Sequence, residues 1–268
     1  MTTTSQDKNT SKAAAYTTRE GWDQRYTQHS GMKAAGTFVH TDNGNRQFYR
    51  TKCDALDRVI KATGTTLQHK VVLDAAGGTG RYVPYFLKRG VDHITVADFS
   101  RKALEAAQQE YADNPRVDTM FSDLKDAQQP WQRSYDFAFV MEAIFLLPAE
   151  ANLEQAIVNM YNALNLGGFL VLSDVFPTET LHQNEYIVRR SRDTFERILA
   201  ERGFGVVGYV RQSFLFERQV FRRFQPYIEN TGSLFYWLNR TAMHMRMRPP
   251  QDSLSDVKYL IARKVARA

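Results

Sequence analysis

The chain has 268 residues, 43% of them hydrophobic and 24% charged, enough for one large domain with a real core and unlike a fibre or a disordered chain. No apolar run approaches the roughly 18 residues of a membrane helix. One cysteine, Cys53, excludes an internal disulfide and argues against a cysteine-based metal site, which fits a reducing, cytoplasmic setting.

Residues 1–18 are polar and rich in Thr, Ser and Lys, without the apolar centre of a secretory leader, and read as a disordered tail. Residues 19–268 read as a single domain. Trp22–Ser30 places Trp22, Arg25, Tyr26 and His29 at helical spacing. A Gly-, Thr- and Asn-rich loop is predicted over Gly31–Gly44, and a second helix over Arg46–Lys61 with Gly64 as its stop. The stretch 19–62 is expected to form a helical lid.

From Lys70 onward strands and helices alternate. Strands are predicted over Lys70–Ala75, His93–Ala97, Val117–Phe121, Tyr135–Met141, Phe169–Ser173, Phe204–Val210 and Val257–Ala262. Helices are predicted over Tyr82–Arg89, from the N-cap Ser100 to Tyr111, over Ala149–Leu164 with Gly167-Gly168 as terminator, and over Ser191–Arg202. This alternation predicts a mostly parallel α/β sheet with helices on both faces.

Chemistry concentrates at strand ends. In VLDAAGGTGR (Val72–Arg81) a strand ends in an acid, a glycine-rich turn follows and a helix begins, the arrangement that lets a backbone approach a ligand closely. Alone, such a turn could serve a dinucleotide, a phosphate or nothing. Asp98 ends the next strand, where a carboxylate can accept both ribose hydroxyls of an adenosine, and Asp123 ends the third. Any one of these acids could be a helix cap or a solvated turn. Three at successive strand ends point to the edge where open α/β sheets bind ligands. The strict Gly-x-Gly-x-x-Gly register of a dehydrogenase is missing, because Val83 stands where the third glycine would be.

In these segments the chain resembles the class I S-adenosylmethionine (SAM)-dependent methyltransferase superfamily. VLDAAGGTG resembles its first motif, ADFS (Ala97–Ser100) the acidic second-strand end, FSDLKD (Phe121–Asp126) the adenine-contact segment and YDFAFVMEAIFLLP (Tyr135–Pro148) the fourth-strand motif. ALNLGGFLVLSD (Ala163–Asp174), SRDTFERILAERGFGVV (Ser191–Val207) and VKYLIARK (Val257–Lys264) resemble the segments that follow. The resemblance implies a Rossmann-like, mostly parallel seven-stranded sheet with an antiparallel last strand, and SAM as cofactor. It implies that Asp74, Ala76, Gly78 and Gly80 shape the methionine pocket. It further implies that Asp98 holds the ribose with Phe99 beside the adenine, that Asp123 and Leu124 contact the adenine, and that Met141 and Glu142 lie under the sulfonium. Ala76 departs from the pattern, since it occupies the usual first glycine position.

The fourth-strand segment lacks Asp/Asn-Pro-Pro-aromatic, which disfavours methylation of exocyclic DNA amines. Cys53 precedes the first motif, which argues against a cysteine nucleophile for pyrimidine carbon-5. Direct transfer to an oxygen or nitrogen of a small metabolite or sugar is the leading expectation. Glu142 and His182 are the candidate bases, and Tyr26, Tyr186 and Arg189 the candidate acceptor-binding residues. Glu142 could equally bond backbone amides or the cofactor's amino group, and His182 could be an ordinary loop histidine. Asp174 reads as structural.

Residues 211–250 read as an insertion rich in aromatics and arginine. Seven arginines and two glutamates lie between Arg211 and Arg248, so nearly all of the net charge of +6 falls there. A substrate cap or homodimer surface, nucleic-acid binding, peripheral membrane contact and a plain solvated surface all fit this composition. A macromolecular acceptor such as RNA or a protein terminus, and a non-catalytic SAM-binding module, remain the alternative functions.

Overall fold

A computed structural model describes residues 18–29, 41–129, 131, 133–213, 233–244 and 257–266. Residues 1–17 of the expected tail, most of the 31–44 loop, and 214–232 and 245–256 of the expected insertion lie outside these residues. The elements are α1 (Arg19–Gln28), α2 (Asp42–Thr63), β1 (Val71–Ala75), α3 (Val83–Lys88), β2 (His93–Asp98), α4 (Arg101–Glu110), β3 (Val117–Phe121) and β4 (Tyr135–Val140). They continue with a 3₁₀ turn (Ile144–Leu146), α5 (Glu150–Ala163), β5 (Leu164–Asp174), β6 (Leu181–His182), β7 (Val188–Arg189), α6 (Arg192–Glu201), β8 (Phe204–Arg211), α7 (Leu234–His244) and β9 (Lys258–Lys264).

Seven strands form one sheet in the order β3-β2-β1-β4-β5-β9-β8. β3, β2, β1, β4 and β5 run parallel, and β9 lies antiparallel between β5 and β8. This is the Rossmann-like class I arrangement that the sequence predicts. Chain order reverses between β1 and β4, and the crevice beyond the carboxyl ends of those strands is where such sheets hold ligands.

Period-two alternation divides the core. Leu73, Ala138, Val140, Leu170 and Leu172 face α5 and α6, which contribute Leu153, Ile157, Met160, Phe195, Ile198 and Leu199. Val72, Ile94, Val96, Phe137, Phe139 and Val171 face the other way, toward Val83 and Phe86 of α3 and Ala55, Leu56, Val59 and Ile60 of α2.

Helix α2 is therefore a core layer, because its apolar stripe fills one face of the sheet. Of the stretch 19–62, only α1 overlies the ligand edge. α2 also starts earlier than expected, since the Thr41 hydroxyl caps it by accepting the Gly44 N–H at 3.1 Å. It ends where expected, at Gly64 in a left-handed conformation with φ +72°. Gly167-Gly168 does not terminate α5. Both glycines lie inside β5, and a side chain on Gly168 would sit 2.9–3.2 Å from the carbonyls of Asn165, Asp136 and Tyr135. The glycine is there for close approach of neighbouring backbone.

Truncating Leu56 to alanine tests the core role of α2. Urea unfolding should show a loss of about 2–5 kcal/mol. A change below about 0.5 kcal/mol, as for a surface position, would return the helix to a lid role.

Candidate active site

A cleft of about 540 Å³ opens at the switch point. Along its floor lie Asp74, Ala76, Gly77 and Gly78 after β1, Asp98 and Phe99 after β2, Asp123 and Leu124 after β3, Met141 and Glu142 after β4, and Ser173 and Asp174 at the end of β5.

The turn after β1 approaches its surroundings as only glycine allows. Gly77 passes over Asp74, and an added Cβ would meet that carboxyl group at 2.8 Å. Gly78 has φ +59°, and an added Cβ would meet the Tyr26 hydroxyl at 2.5 Å. Ala76 adopts φ +58°, a glycine-like conformation taken by an alanine. Gly80 serves differently. It does not line the cleft, and a side chain there would strike Tyr111 at 2.9 Å and Val83 at 3.1 Å. It lets the turn pack closely against Tyr111, at the end of α4, and Val83 of α3.

Asp74 is fully buried, and neither carboxyl oxygen has a hydrogen-bond partner among the described residues. Burial, then the neighbouring Asp98, pushes its pKa up to about 7. Asp98 is also buried. One oxygen accepts the Gly78 N–H and the other the Ser100 N–H, each at 2.8 Å. Burial outweighs these bonds and pushes its pKa up to about 6. Two acids short of compensating charge make this floor a seat for a cation or a hydroxyl-rich group.

The adenine-side loop is held from below. The Asn159 amide donates to the carbonyls of Leu124 and Asp126 at 2.7 and 2.8 Å, which fixes the turn carrying Asp123 and Leu124. Above the cleft, α1 contains no fully buried residue and docks through polar groups. Asp23 accepts from the Ser100 hydroxyl at 2.6 Å and from the Lys102 N–H at 3.1 Å, supplementing the cap of α4. Trp22, Arg25 and Tyr26 thereby come to line the cleft.

After β4, Glu142 also adopts φ +58°, and its N–H donates to the Ser173 hydroxyl at 2.7 Å. Its carboxylate meets Lys52 of α2 at 2.5 Å, with 39% of the side chain facing the cleft while that of Lys52 is 2% exposed. Burial raises the Glu142 pKa, but Lys52, Arg81 and Gln212 together hold it below the ordinary carboxylate range. A carboxylate held ionised in this way is a good hydrogen-bond acceptor and a weak proton acceptor.

The loop after β5 is a small hairpin of β6 and β7. Asn184 turns it by accepting the N–H groups of Tyr186 and Ile187 at 3.1 and 2.7 Å. Ile187 and Arg189 line the cleft, whereas His182 is exposed and neither it nor Tyr186 joins the lining. Arg189 pairs with buried Asp174, stacks 4.3 Å over the Phe145 ring and donates to Gln183 at 2.9 Å. Its guanidinium thus anchors the hairpin to the sheet end. Burial raises the Asp174 pKa against the opposing pull of Arg189.

Lys52, Arg81 and Tyr82 went unnoticed in the sequence. Arg81 and Tyr82 follow the glycine turn directly and line the cleft, a position next to a recognised motif that could have drawn attention. Nothing local marks Lys52, which lies 90 residues from Glu142. Among the described residues no group of three His, Cys, Asp or Glu side chains is placed to hold a metal ion.

Residues 72–168 match the family model of a methyltransferase domain. No curated protein matches the chain. Among solved structures, the chain is similar to magnesium protoporphyrin IX methyltransferase (ChlM) from Synechocystis PCC 6803 with bound S-adenosylhomocysteine (SAH). The identity is 16% over 95% of this chain and 99% of that one, with TM-score 0.56. N-methyltransferase NodS from Bradyrhizobium japonicum WM9 gives 16% over 82% and 97%, with TM-score 0.55. The [4+2]-cyclase SpnF gives 18% over 79% and 80%, with TM-score 0.52. At these identities the likeness establishes the fold.

Two outcomes test the electrostatics of the cleft. Asp74 and Asp98 bind protons more tightly when folded than when unfolded, so stability of the ligand-free protein should fall as pH rises from about 4 to about 7. A bound cation favours their ionised forms, so SAM should bind more tightly at pH 7.5 than at pH 5.5 and release protons. Calorimetry in buffers of different ionisation enthalpy reads that release, and its absence would show both acids already ionised. Separately, Glu142→Gln should cost about 3 kcal/mol by removing the carboxylate charge that faces buried Lys52. The Lys52→Met/Glu142→Gln double variant should recover most of that loss in chemical unfolding, and equal losses would show the pair to be uncoupled.

Proposed function

We propose that this chain, a member of the class I SAM-dependent methyltransferase superfamily by its fold and its match over 72–168, transfers a methyl group from SAM to an oxygen or nitrogen of a small molecule. The observation that carries the reading is the orphaned, buried Asp74 beside Asp98, beneath a glycine turn too tight for side chains.

The residues present fit the cofactor. Asp98 would accept the ribose hydroxyls, and Phe99, Asp123 and Leu124 would border the adenine. The acidic floor of Asp74 and Asp98 would balance the cofactor's net positive charge, and Arg81 would face its carboxylate. SAM, when bound, supplies an electrophilic methyl on its sulfonium. The protein's part is to align the acceptor, exclude water and order the groups around it.

The acceptor end is walled by Phe145, Leu146, Leu147, Pro148 and Ile187, with Glu142 as its ionised acceptor. Such walls suit a small, partly apolar metabolite carrying a hydroxyl or amine better than a heavily hydroxylated sugar. Glu142 would orient the reacting O–H or N–H by accepting its hydrogen bond. With Lys52 holding it ionised, alignment would contribute more than proton removal. His182, outside the cleft lining, would take no part, and Arg189 would shape the mouth while committed to Asp174.

The fold likeness to a [4+2]-cyclase supports a second reading, in which SAM is bound without transfer of its methyl group. Production of SAH separates the two.

With isotopically labelled SAM and a metabolite extract, the wild-type chain should form SAH and one labelled small product. SAM binding without either would favour the second reading. Asp98→Ala should weaken SAM binding in calorimetry by at least about tenfold, the loss of one or more strong hydrogen bonds to a charged group. Unchanged affinity would refute the cofactor assignment.

A further inference from the structure

We propose that the Tyr82 hydroxyl donates a hydrogen bond to the methyl acceptor, and that Tyr82 and Glu142 together select an aromatic hydroxyl, so that the product is an aryl methyl ether. The inference rests on the transfer reading above and narrows its acceptor atom from oxygen or nitrogen to oxygen.

Tyr82 follows the glycine turn and stands at the N-cap of α3, where its side chain makes no capping bond. The residue is 6% exposed and lines the cleft, and its hydroxyl has no hydrogen-bond partner among the described residues. Burial, then the charge of Glu142, pushes its pKa well above the ordinary phenol range, so the group stays protonated and able to donate.

Helix α2 brings this phenol and Glu142 together. The Tyr82 ring packs 5.5 Å from that of Tyr49, and Lys52, one helical turn further on, meets the Glu142 carboxylate at 2.5 Å. Phenol and carboxylate thus lie against the same turn of α2 and border the same cleft, yet they do not bond to each other. A buried donor left without an acceptor destabilises the free protein, and a ligand that brings the acceptor removes that cost.

Lone pairs decide which ligand group fits. Ionised Glu142 only accepts, and Tyr82 donates. The group between them must donate to one, accept from the other and keep a lone pair for the methyl. A hydroxyl, with one proton and two lone pairs, does all three. A neutral amine has a single lone pair, which a bond from Tyr82 would occupy. An ammonium has none, and a carboxylate would meet Glu142 as a like charge. Glu142 is also a weak base, and a bond from Tyr82 favours negative charge on the attacking oxygen. Both suit a hydroxyl that is already acidic, as on an aromatic ring, and Phe145, Leu146 and Leu147 offer that ring an apolar wall. In the step the acceptor oxygen bonds to the methyl carbon as the carbon–sulfur bond breaks. The sulfur keeps the electron pair, and the hydroxyl proton passes to Glu142 and then to solvent.

The test uses the full chain, SAM isotopically labelled in its methyl carbon, and the metabolite extract. NMR of the labelled product should place that carbon in an aryl methoxy group. An N-methyl, methyl ester or alkyl methoxy product would overturn the inference while leaving methyl transfer intact. Absence of SAH would remove the transfer reading itself, and this inference with it. Tyr82→Phe keeps the ring and deletes the hydroxyl. The variant should resist urea as well as or better than the wild type, because it loses only an unpaired buried group, and its SAM affinity should stay within about twofold. Its kcat should fall at least about tenfold. Undiminished turnover would overturn the role of Tyr82. So would a lower urea midpoint, which would show the hydroxyl bonded in the free protein, or a loss of SAM affinity with kcat unchanged, which would assign the hydroxyl to the cofactor.

Discussion

A parallel strand buried on both faces can place a carboxylate only at its end. That constraint organises the site. β1, β2 and β4 run through the centre of the sheet, with helices against both faces. Asp74, Asp98 and Glu142 gather where those strands stop, at the edge where the order of connection reverses. Helices on both faces keep water out, so Asp74 and Asp98 hold their protons far more tightly than free carboxylates do. The core that stabilises the fold thus also sets how readily the site's acids give up their protons.

The three acids are handled differently. Asp98 is partly compensated by two backbone N–H groups, and Asp74 has no partner among the described residues. Glu142 has a full counter-charge in Lys52. Asp74 and Asp98 therefore gain from a nearby cation, while Glu142 is already balanced and offers an ionised hydrogen-bond acceptor. Backbone strain lies along the same line. Ala76 and Glu142 end adjacent strands, each with φ +58°, a conformation that costs a non-glycine residue roughly 1–2 kcal/mol. Both turn the chain sharply into the cleft, so the surrounding packing offsets strain held at the site.

The periphery follows another logic. α1 joins the body through Asp23 at the start of α4 and Tyr26 against Gly78, few and polar contacts for an element that covers the cleft. α7 is held by Tyr236 and its neighbours on α2 and leaves its apolar stripe outward. The β6–β7 hairpin hangs on the Arg189–Asp174 pair. Each covering element is fastened by one or two side chains, which leaves its outer face free to differ without disturbing the sheet.

Periodicity and punctuation were enough to read the seven strands of the main sheet, most helices and their caps, because alternation of apolar residues and the chemistry of Ser100, Ser191 and Gly64 are local. The acids at strand ends were legible for the same reason, since a strand that stops at a carboxylate is a local pattern. The helix α2 was legible too, but not the sheet face it fills. Gly80 looked like part of the pocket because its motif is continuous in sequence, yet its side of the turn faces Tyr111 and Val83. His182 was a candidate base and Arg189 a candidate acceptor-binding residue, and the hairpin turned the first out and the second in. Above all, the character of Glu142 depended on Lys52, brought across 90 residues by the packing of α2 on the sheet. A sequence determines what each short segment prefers and which groups it carries to a strand end. Only the tertiary structure decides which charges come to share a space closed to water, and that proximity sets their chemistry.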